Sequence, residues 1–128
     1  MDQMTHHSSQ LFDAEPASAA IVRRYVRESL DSLCLGSDEA VLLANELATN
    51  AIVHAKSEFV VEVSVRERTC RIGVVDHDLR RPDKVEEVDR EATRGRGLAL
   101  VQALSTSWGV EDREDGKAVW CDVTVAPL

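Results

Sequence analysis

Glu46-Leu47-Ala48-Thr49-Asn50-Ala51-Ile52-Val53-His54-Ala55 is too apolar for a surface loop and too polar for plain core. At roughly 100° per residue, Ala40, Val41, Leu43, Ala44, Leu47, Ala48, Ala51, Ile52 and Ala55 spread over one broad apolar face of a helix. Glu46, Asn50 and His54 fall at i, i+4 and i+8, a single polar stripe along the edge of that face. A carboxylate, an amide and an imidazole at a core boundary are costly to desolvate unless something bonds or coordinates them. Spacing alone favours a plainer reading, a solvated stripe with a satisfied histidine, because polar helix faces are commonplace.

The neighbouring sequence supports the helix. Ser37 is a candidate cap, Asp38 and Glu39 suit the positive end of the dipole, and the pattern runs to about Lys56. Upstream, Pro16 and Ser18 open a second amphipathic run, with Ile21, Val22, Tyr25, Val26, Leu30 and Leu33 at helical spacing until Gly36. Residues 1–8 are polar and are expected to be flexible, leaving 9–128 as the domain, with a short edge strand at Ser9 to Asp13.

Downstream the period changes to two. Phe59, Val61, Val63 and Val65 alternate with more polar residues, a turn follows near Glu67-Arg68-Thr69, and Cys70, Ile72 and Val74 make the inward column of a returning strand. Asp76 is either the next member of that column or the cap of a turn after the strand has ended. Residues 77–94 read as a mobile loop, with a turn of helix near Val85 to Val88. Gly95-Arg96-Gly97-Leu98 then enters an apolar helical run. Glycines there let backbone N–H groups approach an anion at a helix N-terminus, although most Gly-x-Gly pairs are only turns. The chain ends in a second hairpin, Trp108 to Arg113 and Val119 to Val125, around Glu114-Asp115-Gly116. Helix, helix, strands, loop, helix, strands predicts an α+β fold, with helices layered on one face of a largely antiparallel sheet.

At 128 residues the chain is one domain's worth and long enough for a core without disulfide or metal staples. Its net charge of −8 argues against nucleic acid or an anionic membrane as main partner, and a basic protein surface is the more natural target. Cys34, Cys70 and Cys121 are widely spaced and read as reduced core residues of a cytoplasmic protein. No apolar run approaches the roughly 18 residues of a membrane span, and the first residues lack a signal-peptide pattern. His6-His7 in a polar terminus is incidental rather than a metal site.

Taken in order, these motifs resemble the GHKL, or Bergerat-fold, ATPases. Glu46 to His54 looks like their N box, Asp76 to Pro82 their first glycine box, and Gly95 to Leu98 their second. Glu46-Leu47-x-x-Asn50-Ala51-x-x-His54-Ala55, Gly95-Arg96-Gly97-Leu98-Ala99-Leu100-Val101 and Gly116-Lys117-x-Val119-Trp120 are similar to the single-domain anti-sigma-factor serine kinases of bacteria. The resemblance spans about residues 10 to 126. It implies a two-layer α/β sandwich, the histidine-kinase-like ATPase fold, with a mixed, mainly antiparallel sheet.

The resemblance also implies roles. Asn50 would bind the Mg²⁺ that bridges ATP phosphates, and Glu46 would be the general base or position the attacking hydroxyl. Asp76 would accept a hydrogen bond from the adenine amino group, Gly95, Arg96, Gly97 and Leu98 would hold phosphates, and His54 would lie near them. Such chemistry needs positioning and charge neutralisation more than covalent help. The implied partners are a sigma factor and a STAS-domain anti-anti-sigma protein phosphorylated on Ser or Thr, and dimerisation is a further expectation from the family.

Three features depart from that pattern. Asp76-His77-Asp78-Leu79-Arg80-Arg81-Pro82 contains no glycine, Lys117-Ala118 offers no hydroxyl where a threonine is frequent, and the stretch between Pro82 and Gly95 is short for an ATP lid. They motivate an alternative, a partner-switching module of the same fold that has lost catalysis or nucleotide. A small-molecule hydrolase using Glu46 and His54 lacks an accompanying nucleophile or metal constellation.

Overall fold

A computed structural model describes residues 5–77 and 95–128. The elements are β1 (Thr5–Phe12), α1 (Ser18–Asp31), β2 (Leu35–Gly36), α2 (Asp38–Asn50), β3 (Phe59–Arg66), β4 (Thr69–Asp76), α3 (Gly95–Leu104), β5 (Ser107–Arg113), β6 (Gly116–Thr124) and β7 (Ala126–Pro127). The stretch from 78 to 94, with the helical turn considered near Val85 to Val88, lies outside the described residues.

Five strands form one sheet in the order β1-β3-β4-β6-β5, and every adjacent pair in it is antiparallel. The mainly antiparallel sheet expected from the sequence is present, and among the described residues connectivity makes every pairing in it antiparallel. The crossover through α3 delivers β5 pointing the same way as β4, but the β5–β6 hairpin folds β6 into the gap between them. β2 and β7 make a separate two-stranded sheet, Gly36 opposite Ala126.

The alternation read from sequence is the core. Phe59, Val61, Val63 and Val65 on β3, Cys70, Ile72 and Val74 on β4, and Cys121 and Val123 on β6 are buried beneath the helices. α2 packs between α1 and α3 and across β4 and β6. Its buried side carries Ala40, Ala44 and Ala48, with Val41, Leu43 and Leu47 between them. Small residues bring the helix axis close to the sheet, and the leucines fill the remaining space. Each fully buried Val or Leu contributes about 1.5–3 kcal/mol of transfer free energy.

Local chemistry sets the element ends. The Ser37 hydroxyl accepts the Ala40 N–H at 3.0 Å, capping α2 as its sequence suggested. Ser18 is not a cap: α1 starts at Ser18 itself, behind a turn in which Ser18 and Ala19 donate to the carbonyls of Glu15 and Pro16. Gly36 does not terminate α1 either. The helix ends at Asp31, and Cys34, in the left-handed region at φ 61°, turns the chain into β2.

β1 begins at Thr5, four residues earlier than Ser9, so residues 5–8, expected to be loose, pair with β3 from Thr5 opposite Arg66 onward. Phe12 closes this edge, stacked on Phe59 at 5.6 Å and edge-on to Tyr25 at 5.9 Å. Cys70 and Cys121 are the buried cysteines, and burial pushes both thiols up to about 12. Cys34, expected in the core, is exposed on the turn after α1.

Candidate functional site

Asp76 decides between the two readings its sequence left open. It is the last residue of β4, paired within the sheet, and stands in the inward column after Cys70, Ile72 and Val74 with 5% of its surface exposed. It is therefore a core-facing carboxylate. Its cross-strand partner is Lys117, the second residue of β6, itself only 8% exposed. The Lys117 Nζ donates to Asp76 Oδ1 at 3.0 Å and to Oδ2 at 3.2 Å.

Gly116 makes this pairing possible. A Cβ there would stand 1.8 Å from the Asp76 carbonyl oxygen and 2.7 Å from the His77 Cα, so only glycine lets β6 start this close to β4. Lys117 is the residue that sequence reasoning missed. The signal was present: Lys117 shares the parity of Val119, Cys121 and Val123, the column that faces the helices.

The helix packed on β4 and β6 carries the polar stripe. Glu46 and Asn50 are half-buried, one turn apart on α2, and α2 packs on β4. The neighbouring Asn45 is tied to α1, its Oδ1 accepting from the Arg23 Nη1 at 2.7 Å. Beyond Asn50 the helix widens into a single π turn over Ala51–Ala55, closed by the Lys56 N–H donating five residues back to the Ala51 carbonyl at 3.1 Å. Lys56 then leaves in the left-handed region. His54 is half-buried in this turn, past the regular register that aligns Glu46 with Asn50. The stripe of three is thus a pair on α-helix followed by a histidine on widened backbone. Such single π turns are frequent at functional sites.

Gly95, Arg96, Gly97 and Leu98 form the first turn of α3, which packs against α2. A helix's first four N–H groups lack intrahelical partners and carry the positive end of its dipole, so this end can receive an anion. Elements carrying Glu46 and Asn50, Asp76, and Gly95 to Leu98 are therefore packed together around α2. Residues 78–82 of the first glycine box lie outside the described residues.

The opposite face of the sheet carries different chemistry. Arg71 makes a two-pronged contact to Asp122, Nε to Oδ1 at 2.7 Å and Nη2 to Oδ2 at 3.0 Å, and lies 3.8 Å over the Trp120 ring. The hydrogen bonds that Arg71 donates to Asp122 hold the guanidinium's pKa above its usual value. Ala118 lines a hollow of this face with Trp120, Arg71 and Glu62, on the other side of the sheet from Asp76.

Residues 12–122 match the family model described as Histidine kinase-like ATPase domain. The chain belongs to the histidine kinase-like ATPase domain family. Among solved structures, the RsbU and RsbW domains of Rv1364c from Mycobacterium tuberculosis superpose on it with a TM-score of 0.67, at 20% identity, over 95% of this chain and 33% of that one. At that identity the likeness is one of fold. An uncharacterised Streptomyces coelicolor protein, SCO4941, is 43% identical over 60 residues, 44% of this chain and 55% of that protein. The chain thus matches about half of that curated relative and a third of the solved chain.

The residues fit the ligand such a domain implies. Asp76 is an acceptor at the buried end of a strand, and Glu46 and Asn50 bring oxygens to one helix edge. Among the described residues no group of three or more His, Cys, Asp or Glu is set to hold a metal. A Mg²⁺ held by Asn50 would complete its shell with phosphate and water oxygens, as that ion commonly does.

Proposed function

We propose that this domain binds Mg-ATP and acts as an anti-sigma regulator, sequestering a sigma factor and phosphorylating a Ser or Thr of a STAS-domain antagonist. The observation that carries the reading is Asp76, a carboxylate held in the core-facing column of β4, the strand on which α2 with Glu46 and Asn50 packs. Membership of the ATPase domain family and the likeness to a domain named RsbW support it.

In this reading Asp76 accepts from the adenine amino group, and Asn50 supplies an oxygen to Mg²⁺, whose charge offsets that of the phosphates. Gly95, Arg96, Gly97 and Leu98 hold the phosphates at the start of α3, and His54 lies beside them. Glu46 orients the substrate hydroxyl and takes its proton as that oxygen bonds to the γ-phosphorus, while the bond to the β–γ bridging oxygen breaks and ADP leaves. The new phosphate adds negative charge to the antagonist, which then meets a chain of net charge −8 and is expelled. No described helix is long and apolar enough to cross a membrane.

The test is transfer of labelled γ-phosphate from ATP to a candidate antagonist by wild type, Glu46→Ala and Asn50→Ala. Wild type should transfer and both variants should lose most of the rate. Equal transfer by all three would remove Glu46 and Asn50 from the site. A second reading, a partner-switching module without nucleotide, is favoured by the Lys117 ammonium lying on both oxygens of Asp76. Calorimetric titration with Mg-ATP separates the two, since saturable binding contradicts the second.

A further inference from the structure

We propose that the outer edge of β1, with the cleft it forms against α1, is a docking site for an extended, uncharged segment of a partner protein. The segment adds to the five-stranded sheet as a further strand and places an apolar side chain in the cleft. β3 separates β1 from β4, so the site stands apart from Asp76 and does not rest on the ATP-binding reading.

The two edges of the sheet are unlike. Among the described residues, β1 pairs in it with β3 alone and β5 with β6 alone. An edge strand leaves the N–H and C=O groups of alternate residues without a ladder partner, a template for another chain that proteins usually blunt with charges, bulges or short length. β5 is blunted by charge, since it ends in Glu111, Asp112 and Arg113. β1 is eight residues long, runs in unbroken register with β3 and contains no Asp, Glu, Lys or Arg. Leu11 on this strand is 56% exposed, and Ile21, one turn before Tyr25 on α1, is 44% exposed.

Between β1 and α1 is a cleft of about 310 Å³, lined by His6 and Ser8, by Tyr25 and Ser29, and by Val63 and Val65. The two valines are buried and make an apolar floor. The hydroxyls of the wall are already engaged: Ser29 donates to the Tyr25 carbonyl and Ser32 to the Ser29 carbonyl, each at 2.8 Å, and Ser8 and Tyr25 bond each other at 2.7 Å. An apolar side chain enters without stranding these groups, whereas a carboxylate or ammonium would lose water for little return. An apolar cavity of about 150 Å³ holds a benzene ring, so the cleft has room for a leucine or phenylalanine side chain. A strand added about 4.8 Å outside β1 would send that side chain in over Ser8, which is small and exposed. Edge and cleft therefore ask for the same occupant, with main-chain bonds supplying affinity and an inward side chain supplying selectivity.

A second copy of this chain fits less well. Two β1 strands paired antiparallel about a two-fold axis normal to the sheet keep His6, Ser8 and Gln10 on the helix side, setting polar side chains towards the apolar floor. Two chains of net charge −8 also repel each other.

The test is an NMR titration of the ¹⁵N-labelled full chain, without nucleotide, with the blocked peptide Thr-Val-Thr-Leu-Thr-Val-Thr. Saturable shifts should fall on the amides of Thr5–Phe12 and of Tyr25, Ser29 and Ser32, with slowed hydrogen exchange at alternate residues of β1. Aspartate in place of the central leucine should weaken binding about tenfold or more, the loss expected when one buried leucine is forfeited. Of two further peptides, N-methylated on alternate residues in opposite phase, one presents its blocked edge to β1 and should lose binding. Ser29→Leu, which fills the cleft from α1, should weaken binding by a similar factor, and Ser29→Ala should not. Should Ser29→Leu fail to fold, the peptide series on wild type decides alone.

No saturable shifts at millimolar peptide, or shifts that map to β5 instead, overturn the proposal. Undiminished binding by both N-methylated peptides overturns strand addition. A wild-type dimer in sedimentation equilibrium that Gln10→Lys dissociates assigns the edge to a second copy and overturns it as well.

Discussion

Replacing Lys117 by methionine keeps most of the side chain's volume and removes its ammonium from a carboxylate that is 5% exposed. Leaving one member of a buried ion pair without the other costs about 3–5 kcal/mol. Domains of this size have roughly 5–15 kcal/mol in total. Lys117→Met should therefore lose a large share of its stability, a fall in Tm on the order of 10–20 °C. Asp76→Leu alone should cost a similar amount, because it strands the ammonium instead. The double variant Asp76→Leu/Lys117→Met should recover most of the loss, since an apolar pair has no desolvation penalty. Urea unfolding followed by Trp fluorescence gives the cycle, with Trp120 on the same strand as Lys117 as reporter. Single-variant losses that add to within about 0.5 kcal/mol of the double variant's would refute the coupling. A stable double variant that no longer binds ATP would assign the pair to recognition rather than to folding.

Among Gly36, Gly73, Gly109 and Gly116, Gly116→Ala should be the most damaging substitution, about 3 kcal/mol or more, because its Cβ would press on the Asp76 backbone rather than on a movable side chain; a loss below about 1 kcal/mol in urea unfolding would contradict the close approach of β6 to β4. Ser37→Ala should cost about 1 kcal/mol by removing the cap of α2, and an unchanged unfolding midpoint would count against that hydrogen bond. Maleimide at neutral pH should label Cys34 in the native protein and spare Cys70 and Cys121 until it is unfolded. Folding holds the latter two thiols protonated up to about 12, while the unfolded chain releases those protons near 9. Their contribution is therefore complete below pH 9 and is lost as pH rises towards 12, with stability falling by about 1.4 kcal/mol per pH unit for each thiol. Denaturation curves that do not weaken over that window would refute their burial.

The fold was legible wherever burial imposed a period. Leu43, Leu47 and the alanines of α2, and the valines of β3, occupy the faces their spacing implied, because one side of each element is dry. The start of β1 was not legible. Its residues from Thr5 to Leu11 are exposed, so no apolar alternation announces them, and their pairing is a backbone matter. The expected helix ends at Ser18 and Gly36 failed for a related reason. Both residues satisfy the local preferences of a helix boundary, but tertiary packing buries Ser18 in the first turn and recruits Gly36 to β2. The widened turn at Ala51–Ala55 left no mark in a sequence whose apolar spacing continues smoothly through it.

The candidate site divides along the same line. Asp76 could be read because parity along a strand is a local property, and the structure removed the alternative that the strand had already ended. Lys117 lies 41 residues away, and its meaning arises only when β6 is inserted beside β4. That insertion depends on Gly116, which from sequence alone was the glycine of a hairpin turn. The chemical consequence is that the site's base end cannot be assessed motif by motif. The sequence pattern Lys117-Ala118 registers as a missing hydroxyl, whereas in the fold one residue lines the hollow on the far face and the other brings a cation to the Asp76 carboxylate. Under the proposed ATP-binding role of Asp76, a cation placed there either supports the base or takes the place of its amino group. Those two outcomes predict opposite signs for the effect of Lys117→Met on ATP affinity.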